Sequence, residues 1–199
     1  QGEINQSISH HSNDELGTLA DSFRDMMDYI KGIARSADAI AEGNLKVEIH
    51  PKGSHDLLSH SMVGVTQVLR GMTEETSRIS RAAEEGHLNT RGNADRFQGA
   101  YGDIILGMNH TLDAVTGPLF VAAGYVDRIS KGDIPPKITD TYHGDFNELK
   151  HNLNACIDAI QALVQDAALL NQAAVEGQLA TRADATKHHG DFNKIVSGV

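Results

Sequence analysis

A short phrase, a glycine followed two positions later by Leu or Ile, recurs along this chain and limits what it can fold into. It reads Glu42-Gly43-Asn44-Leu45, Glu85-Gly86-His87-Leu88, Lys131-Gly132-Asp133-Ile134 and Glu176-Gly177-Gln178-Leu179, with Gly2-Glu3-Ile4 as a shortened copy. Successive glycines lie 41 to 46 residues apart. Such self-similarity indicates a repeat architecture, in which each repeat is one small supersecondary unit.

A second phrase follows each glycine, and its large apolar residue lies 14 or 15 residues after that glycine. It reads Glu15-Leu16, Asp56-Leu57, Ala100-Tyr101, Asp145-Phe146 and Asp191-Phe192. In four of these five copies an acidic residue precedes a large apolar one. Because carboxylates favour helix N-termini, where they meet unpaired N–H groups and the positive end of the dipole, each copy predicts a helix opening. Asp145 is predicted to act as a helix cap.

Apolar residues spaced by three and four positions predict helices on both sides of each connector. The clearest series are Leu16, Leu19, Phe23, Met26, Ile30 and Ile33; Tyr101, Ile104, Met108, Leu112 and Val115; Leu119, Ala122, Val126 and Ile129; and Phe146, Leu149, Leu153, Ile157 and Ile160. From Phe146 to Val175 there is no Pro or Gly. This stretch is therefore expected to form one helix of about 30 residues. Pro118 is expected near the first turn of the helix that ends at Gly132, where proline is tolerated.

The connector after each glycine is too long for a tight turn. About a dozen residues can span up to about 40 Å, whereas a 15-residue helix is only about 23 Å long. The connector can therefore return along the first helix, so that the second helix starts parallel to it. The expected anchors of the connectors are Leu45, Leu88, Ile134 and Leu179, two residues past the glycine, and Ile8, Ile49 and Ile138, six past it.

Two parallel helices leave most of an apolar seam uncovered, so a second copy is expected to complete a four-helix bundle. The predicted fold class is all-α, with tandem parallel bundles formed by a homodimer and joined by continuous helices. A solenoid of helical repeats has a similar period and is the structural alternative. It needs tight turns between antiparallel helices, which these connectors do not provide.

The composition excludes several other classes. Among 199 residues there are 5 Phe, 4 Tyr and no Trp, which suits thin helical bundles. The net charge of −10 argues against a nucleic-acid partner. No unbroken run of 18 apolar residues occurs and no signal peptide opens the chain, so neither a membrane span nor secretion is expected. We expect the chain to be a piece of a longer protein. Its one cysteine, Cys156, excludes an internal disulfide and is predicted to be buried on a seam.

No residue pattern predicts catalysis, a metal site or a cofactor. His50, His55 and His60 step by five positions and cannot share a helix face, and the pairs His10-His11 and His188-His189 are adjacent. Neither a zinc motif nor a glycine-rich phosphate loop is present in the sequence. The eleven histidines are therefore expected to be solvated, and the chain is not expected to be an enzyme.

Taken together, these phrases resemble the HAMP domain, the linker of bacterial transmembrane receptors. Pro118-Leu119 matches its proline site, the Gly-x-Leu/Ile phrases match its connector start, and Asp14-Glu15-Leu16-Gly17 matches its second-helix opening. His143-Gly144-Asp145-Phe146 and His189-Gly190-Asp191-Phe192 resemble openings in arrays of such domains. The resemblance implies a partial repeat at 1–27, repeats at 28–72, 73–115 and 116–161, and a partial repeat at 162–199.

The resemblance implies a signal relay built from parallel four-helix homodimers that change packing. Such arrays resemble those of methyl-accepting chemotaxis receptors most closely. The expected location is the cytoplasmic side of the bacterial inner membrane, with a membrane anchor outside this chain. The expected partners are a second copy, a chemotaxis histidine kinase and a coupling protein, with no nucleic acid. A relay inside a sensor histidine kinase and a passive dimeric helical spacer stay open as alternatives.

Overall fold

A computed structural model describes residues 7–198, and every regular element within them is helical. The α-helices are α1 (Glu15–Ala41), α2 (Leu57–Glu84), α3 (Ala100–Ser130), α4 (Asp145–Val175) and α5 (Gly190–Ser197). Two short 3₁₀ turns, Ala94–Arg96 and Ala185–Lys187, precede α3 and α5. The all-α prediction is confirmed. The Gly2 phrase lies outside the described residues.

Helices α3 and α4 each run for 31 residues without interruption. The prediction of a single helix from Phe146 to Val175 is confirmed by α4. The expected position of Pro118 was wrong, because it lies inside α3 and far from the first turn. Proline has no N–H to donate to the preceding turn, but the helix on either side of it is long enough to continue.

Glycines with positive φ end the four long helices. Gly43, Gly86, Gly132 and Gly177 have φ values of 87°, 81°, 77° and 74°. At the end of α1 the N–H of Asn44 donates to the carbonyl of Ala39 at 2.8 Å, and the N–H of Gly43 donates to that of Ile40 at 2.9 Å. This pair of hydrogen bonds satisfies the last carbonyls of the helix. It requires a residue in the left-handed conformation, which only glycine adopts without a steric penalty. The recurring phrase is therefore a helix stop.

The helix starts agree with the predicted acidic caps at Asp56 and differ from them at Glu15 and Asp145. The Asp14 carboxylate accepts from the N–H groups of Leu16 and Gly17 at 3.1 and 3.0 Å, and that of Asp56 accepts from Ser59 N–H at 3.1 Å. Asp145, predicted as a cap, is instead the first helical residue of α4, and no side chain caps this helix. Gly144, with φ 54°, turns the chain one residue earlier and leaves Asp145 already inside the helix.

Contacts divide the chain into two compact units, residues 1–110 and 111–199. Each unit has a thin core. The buried apolar side chains are Ala20, Ile79 and Ile105 in the first unit and Ile138, Ile157, Ala173 and Val196 in the second. Many large apolar side chains of both units stay exposed in the single chain.

Among residues 7–198, only α4 is long and apolar enough, by length and composition, to cross a membrane. The core helices of soluble bundles share those properties. Three polar side chains of α4 contact the connectors on either side of it: Asn154, Asp158 and Asp166. The expectation that the chain does not span a membrane stays a prediction.

Candidate functional site

The connector between α1 and α2 shows how one repeat is built. The Tyr29 hydroxyl donates to the Asp56 carboxylate and lies 3.2 Å from Ser59 Oγ, which sets the start of α2 beside the middle of α1. Further along α2, Arg70 Nη2 donates to the Val47 carbonyl at 3.3 Å, just beyond the end of α1. The chain advances in the same direction along both helices between these two contacts. The two helices of the repeat are therefore parallel, as the connector length indicates.

The predicted connector anchors differ in how well they are covered. Ile138 is 6% exposed. Leu45, Ile49, Leu88 and Ile134 are partly buried. Leu179 is 75% exposed, so the prediction that it anchors its connector does not hold in the single chain. The described part of α5 is only eight residues long, and its last turn lies beside Leu170 and Asn171 of α4, before Leu179.

Two asparagines hold the middle of their connectors through the main chain. Asn109 Oδ1 accepts from Gly92 N–H at 2.7 Å, and Asn109 Nδ2 donates to Gly92 O at 2.9 Å. Asn154 makes the same pair of bonds to Ile138, at 2.7 and 3.0 Å. We call each pair an amide bridge. One side-chain amide matches the donor and acceptor of a single residue, so it sets the register of the connector against the helix.

The first amide bridge lies beside a close approach of the main chain to the core. A Cβ at Gly92 would lie 2.6 Å from Ile105 Cγ2 and 2.9 Å from Ile79 Cδ1. Any side chain at this position would have to displace the connector from both helices. Gly92 therefore has a packing role that its place in a polar connector does not reveal.

The far end of the third connector is held by a buried carboxylate. Glu75 in α2 has a side chain only 4% exposed. It accepts from Arg78 Nη2 at 2.7 Å, from Asn93 N–H at 2.7 Å and from Arg96 Nη1 at 3.3 Å. The hydrogen bond from Arg78, followed by that from the main chain of Asn93, holds the pKa of Glu75 below its ordinary value. The acid therefore stays ionised while it joins the connector to the first helix of the repeat.

A histidine and an aspartate fill the same place in the last repeat. His188 has a side chain 1% exposed, and its Nε2 lies 2.6 Å from Asp166 Oδ2 in α4. The expectation that the histidines are solvated was wrong for His188. Asp166 and Glu75 each lie 11 residues before a connector glycine. That shared offset is the signal in the sequence that could have found both contacts.

Cys156 is exposed, so its predicted burial on the seam was wrong. Its neighbour Ile157 is fully buried. Adjacent residues on an α-helix point about 100° apart, so the face that buries Ile157 cannot also bury Cys156.

Ionisation of Asp56 should link the second connector to pH. Hydrogen bonds from the Tyr29 hydroxyl, then from Lys52 N–H, hold its pKa well below the ordinary value of 3.8. A carboxyl with a lowered folded-state pKa stabilises the fold above its unfolded pKa and loses that effect as the pH falls towards the folded value. Tyr29→Phe should therefore reduce the free energy of unfolding at pH 7, and the difference from wild type should shrink below about pH 4.

Urea denaturation followed by circular dichroism at pH 7, 5 and 3 measures that difference. In an Asp56→Asn background, Tyr29→Phe should have a small effect that does not vary with pH. A Tyr29→Phe effect of constant size from pH 7 to pH 3 in the wild-type background would contradict this linkage.

An apolar stripe runs along α1 on the series predicted as a seam. Leu16, Leu19 and Phe23 are 61%, 53% and 45% exposed, and Met26 and Ile30 are 48% and 36% exposed. Leu119 and Val126 in α3 are likewise exposed. These side chains have the heptad spacing of a helical interface, yet they are not covered within one chain.

The described residues do not assemble an obvious site for chemistry. Within residues 7–198, no group of three or more His, Cys, Asp or Glu side chains is placed to hold a metal ion. The features that recur are instead the glycine stops, the parallel helices and the polar contacts that fasten each connector.

Two stretches of the chain match family models of the HAMP domain: residues 96–162 match one model and residues 1–32 match another. HAMP domains have a signal-relay role in sensor proteins and typically lie in the cytoplasm next to the membrane. The helix–connector–helix units with glycine stops agree with both matches, which indicate an array of HAMP domains.

Proposed function

We propose that this array relays conformational changes between a sensor and an output domain, and that it works as a parallel homodimer. The observation that carries the proposal is the exposed apolar stripe of α1, defined as Leu16, Leu19, Phe23, Met26 and Ile30. It lies on α1, whose later part, from Tyr29 onward, runs parallel to α2. A parallel four-helix bundle requires such a stripe on each chain.

A second copy is the partner that this stripe fits. Its side chains alternate by three and four positions, and an identical stripe on a parallel helix supplies the matching holes. Five large apolar side chains left in water would be costly, at about 25 cal/mol for each Å² of apolar surface. The stripe has no charged side chain at its own positions, so its burial leaves no carboxylate or ammonium without a partner.

Several features suit the change in packing that a relay needs. A relay needs two arrangements that differ by a few kcal/mol, which an over-determined core does not allow. The core of each unit is thin, and small residues, Ala122, Ala167 and Ala174, stand at predicted seam positions of the helices. We therefore favour a relay over the passive helical spacer.

The finer assignment rests on the resemblance of this array to those of methyl-accepting chemotaxis receptors. In this proposal the array lies on the cytoplasmic side of the bacterial inner membrane, and its full-length protein acts on a chemotaxis histidine kinase and a coupling protein. The chain itself performs no catalysis. A relay within a sensor histidine kinase is the second candidate, and the identity of the output domain distinguishes the two.

The dimer is tested by light scattering and by disulfide trapping of Ile129→Cys in a Cys156→Ser background. We expect twice the chain mass of 21.4 kDa and rapid crosslinking between equivalent positions. Phe23→Asp should weaken dimerisation at least about 100-fold, since it buries an unpaired charge in the interface. Thr18→Asp adds the same charge outside the stripe and should leave the mass unchanged. A helical monomer that never crosslinks would overturn the proposal.

A substitution far from the crosslinking position distinguishes a relay from a passive spacer. Leu19→Ala loosens the stripe of α1 without adding charge. If the array relays, this substitution should change the rate of crosslinking at Ile129 several-fold while the dimer persists. An unchanged rate in an intact dimer would support the passive spacer.

A further inference from the structure

The three connectors that can be compared throughout do not fasten to their second helices in the same way. They are the second connector (residues 44–56), the third (87–99) and the fourth (133–144). Asn109 and Asn154 lie nine residues after Ala100 and Asp145, the openings of α3 and α4. The first residue of α2 is Leu57, and nine residues after it the chain has Thr66, which is 3% exposed. A threonine side chain carries one hydroxyl and no amide, so the second connector cannot form an amide bridge at this position.

The second connector is also less closely packed. A cleft of about 220 Å³ separates its residues Val47, Ile49 and His50 from Val63 and Thr66 of α2. The Thr66 hydroxyl donates within its own helix, to Met62 O at 2.8 Å, and so does not reach across. None of residues 44–56 is buried, whereas Gly92 in the third connector and Pro135 and Ile138 in the fourth are.

The contacts that hold the second connector lie towards its ends. Near its start, Arg70 donates to the carbonyls of Leu45 and Val47. At its far end, Tyr29 and Ser59 bind Asp56. The guanidinium is carried by a long and flexible side chain, which loses more conformational entropy on ordering than the short side chain of Asn does. The middle of this connector, around Ile49, is therefore fastened least.

We propose that the second connector is the compliant element of the array and that Asn109 and Asn154 are positioning residues that hold the third and fourth connectors in register. Detaching the second connector from α2 then requires less free energy than detaching the third connector from α3 or the fourth connector from α4. A packing change passing along the array is absorbed first at residues 44–56. Only this last consequence rests on the proposed relay; the order of release does not.

Residue-resolved amide hydrogen exchange on the full chain tests the order of release, because exchange reports local opening. After correction for intrinsic rates, Ile49 N–H should exchange at least about 10-fold faster than Gly92 N–H and Ile138 N–H. Asn109→Ala should speed exchange at Gly92 by about 5–10-fold and leave Ile138 unchanged, and Asn154→Ala should do the reverse. Asn109→Asp keeps the acceptor for Gly92 N–H and should retain part of the protection.

Installing the missing bridge gives the complementary result. Thr66→Asn should slow exchange at Ile49 by about 5–10-fold, whereas Thr66→Val, which has the same branching but no polar group, should not. Equal protection of Ile49, Gly92 and Ile138 in the wild-type chain would overturn the proposal, as would unchanged exchange at Gly92 in Asn109→Ala. Failure of the relay appears separately, as an unchanged crosslinking rate at Ile129 in Leu19→Ala.

Discussion

Replacing Ile105 by Ala should lower the free energy of unfolding by about 3 kcal/mol. The side chain is fully buried in α3. It meets Ile79 of α2 over the main chain of Gly92, where there is no room for even one added carbon. The substitution removes apolar burial and leaves a cavity that the helices and the amide bridge resist filling. It should therefore weaken both helices and the connector together.

Urea denaturation followed by circular dichroism measures the loss, and amide exchange at Gly92 reports its effect on the connector. Leu106→Ala is the matched control, because Leu106 is the next residue of α3 and is 44% exposed. We expect it to cost about 1 kcal/mol or less. Similar losses for Ile105→Ala and Leu106→Ala would show that the core is not centred on Ile105.

Replacing Glu75 by Ala should destabilise the chain by about 2 kcal/mol. Three hydrogen bonds converge on this carboxylate, and the main-chain N–H of Asn93 would lose its acceptor. Arg78 and Arg96 are 47% and 53% exposed, so water can solvate them once the acid is gone. The expected loss of stability is therefore smaller than the loss caused by breaking a fully buried ion pair.

The adjacent Glu74 provides the control, since it is exposed and Glu74→Ala should change stability by no more than about 0.5 kcal/mol. Glu75→Gln should fall between the two, because an amide oxygen still accepts from Asn93 but no longer attracts the arginines. The folded-state pKa of Glu75 is lowered, so the difference between Glu75→Gln and wild type should be full at pH 7 and shrink as the pH falls below about 4. Equal losses for Glu74→Ala and Glu75→Ala would contradict the assignment.

Much of the fold could be predicted from local rules. A glycine that must take positive φ, an apolar series with a period near 3.5 and a connector of known reach each act within a few turns of chain. These rules placed the helix stops and the long helix that became α4. They also predicted the parallel course of α1 and α2 within a repeat.

The predictions that were wrong depend on what faces a residue rather than on its neighbours in sequence. Cys156 was assigned to a seam, but the rotation of α4 that buries Ile157 turns it to solvent. His188 was taken as solvated, but Asp166 from an earlier helix covers it. Asp145 follows a glycine that already starts the turn and has no cap to make.

The polar contacts of the connectors could be predicted from the sequence only in part. Asn109 and Asn154 stand at matching offsets in the sequence, as do Glu75 and Asp166, yet the offset does not say what each side chain binds. Their partners are mostly main-chain N–H and C=O groups, whose presence does not depend on the side chain and so leaves no signal in the sequence. A main-chain donor or acceptor becomes a specific partner only when the fold brings it within reach.

The sequence by itself determined the repeat, the helical class, the glycine stops and the apolar stripe of α1, because each follows from backbone preference or periodicity along one segment. Only the tertiary structure decided which connector residues are fastened, since that depends on groups 16 to 22 residues apart meeting within hydrogen-bond distance. It was also the tertiary structure that set the second connector apart. Thr66 looks like any other helical residue in the sequence, and only the amide bridges at Asn109 and Asn154 show what is missing beside Ile49.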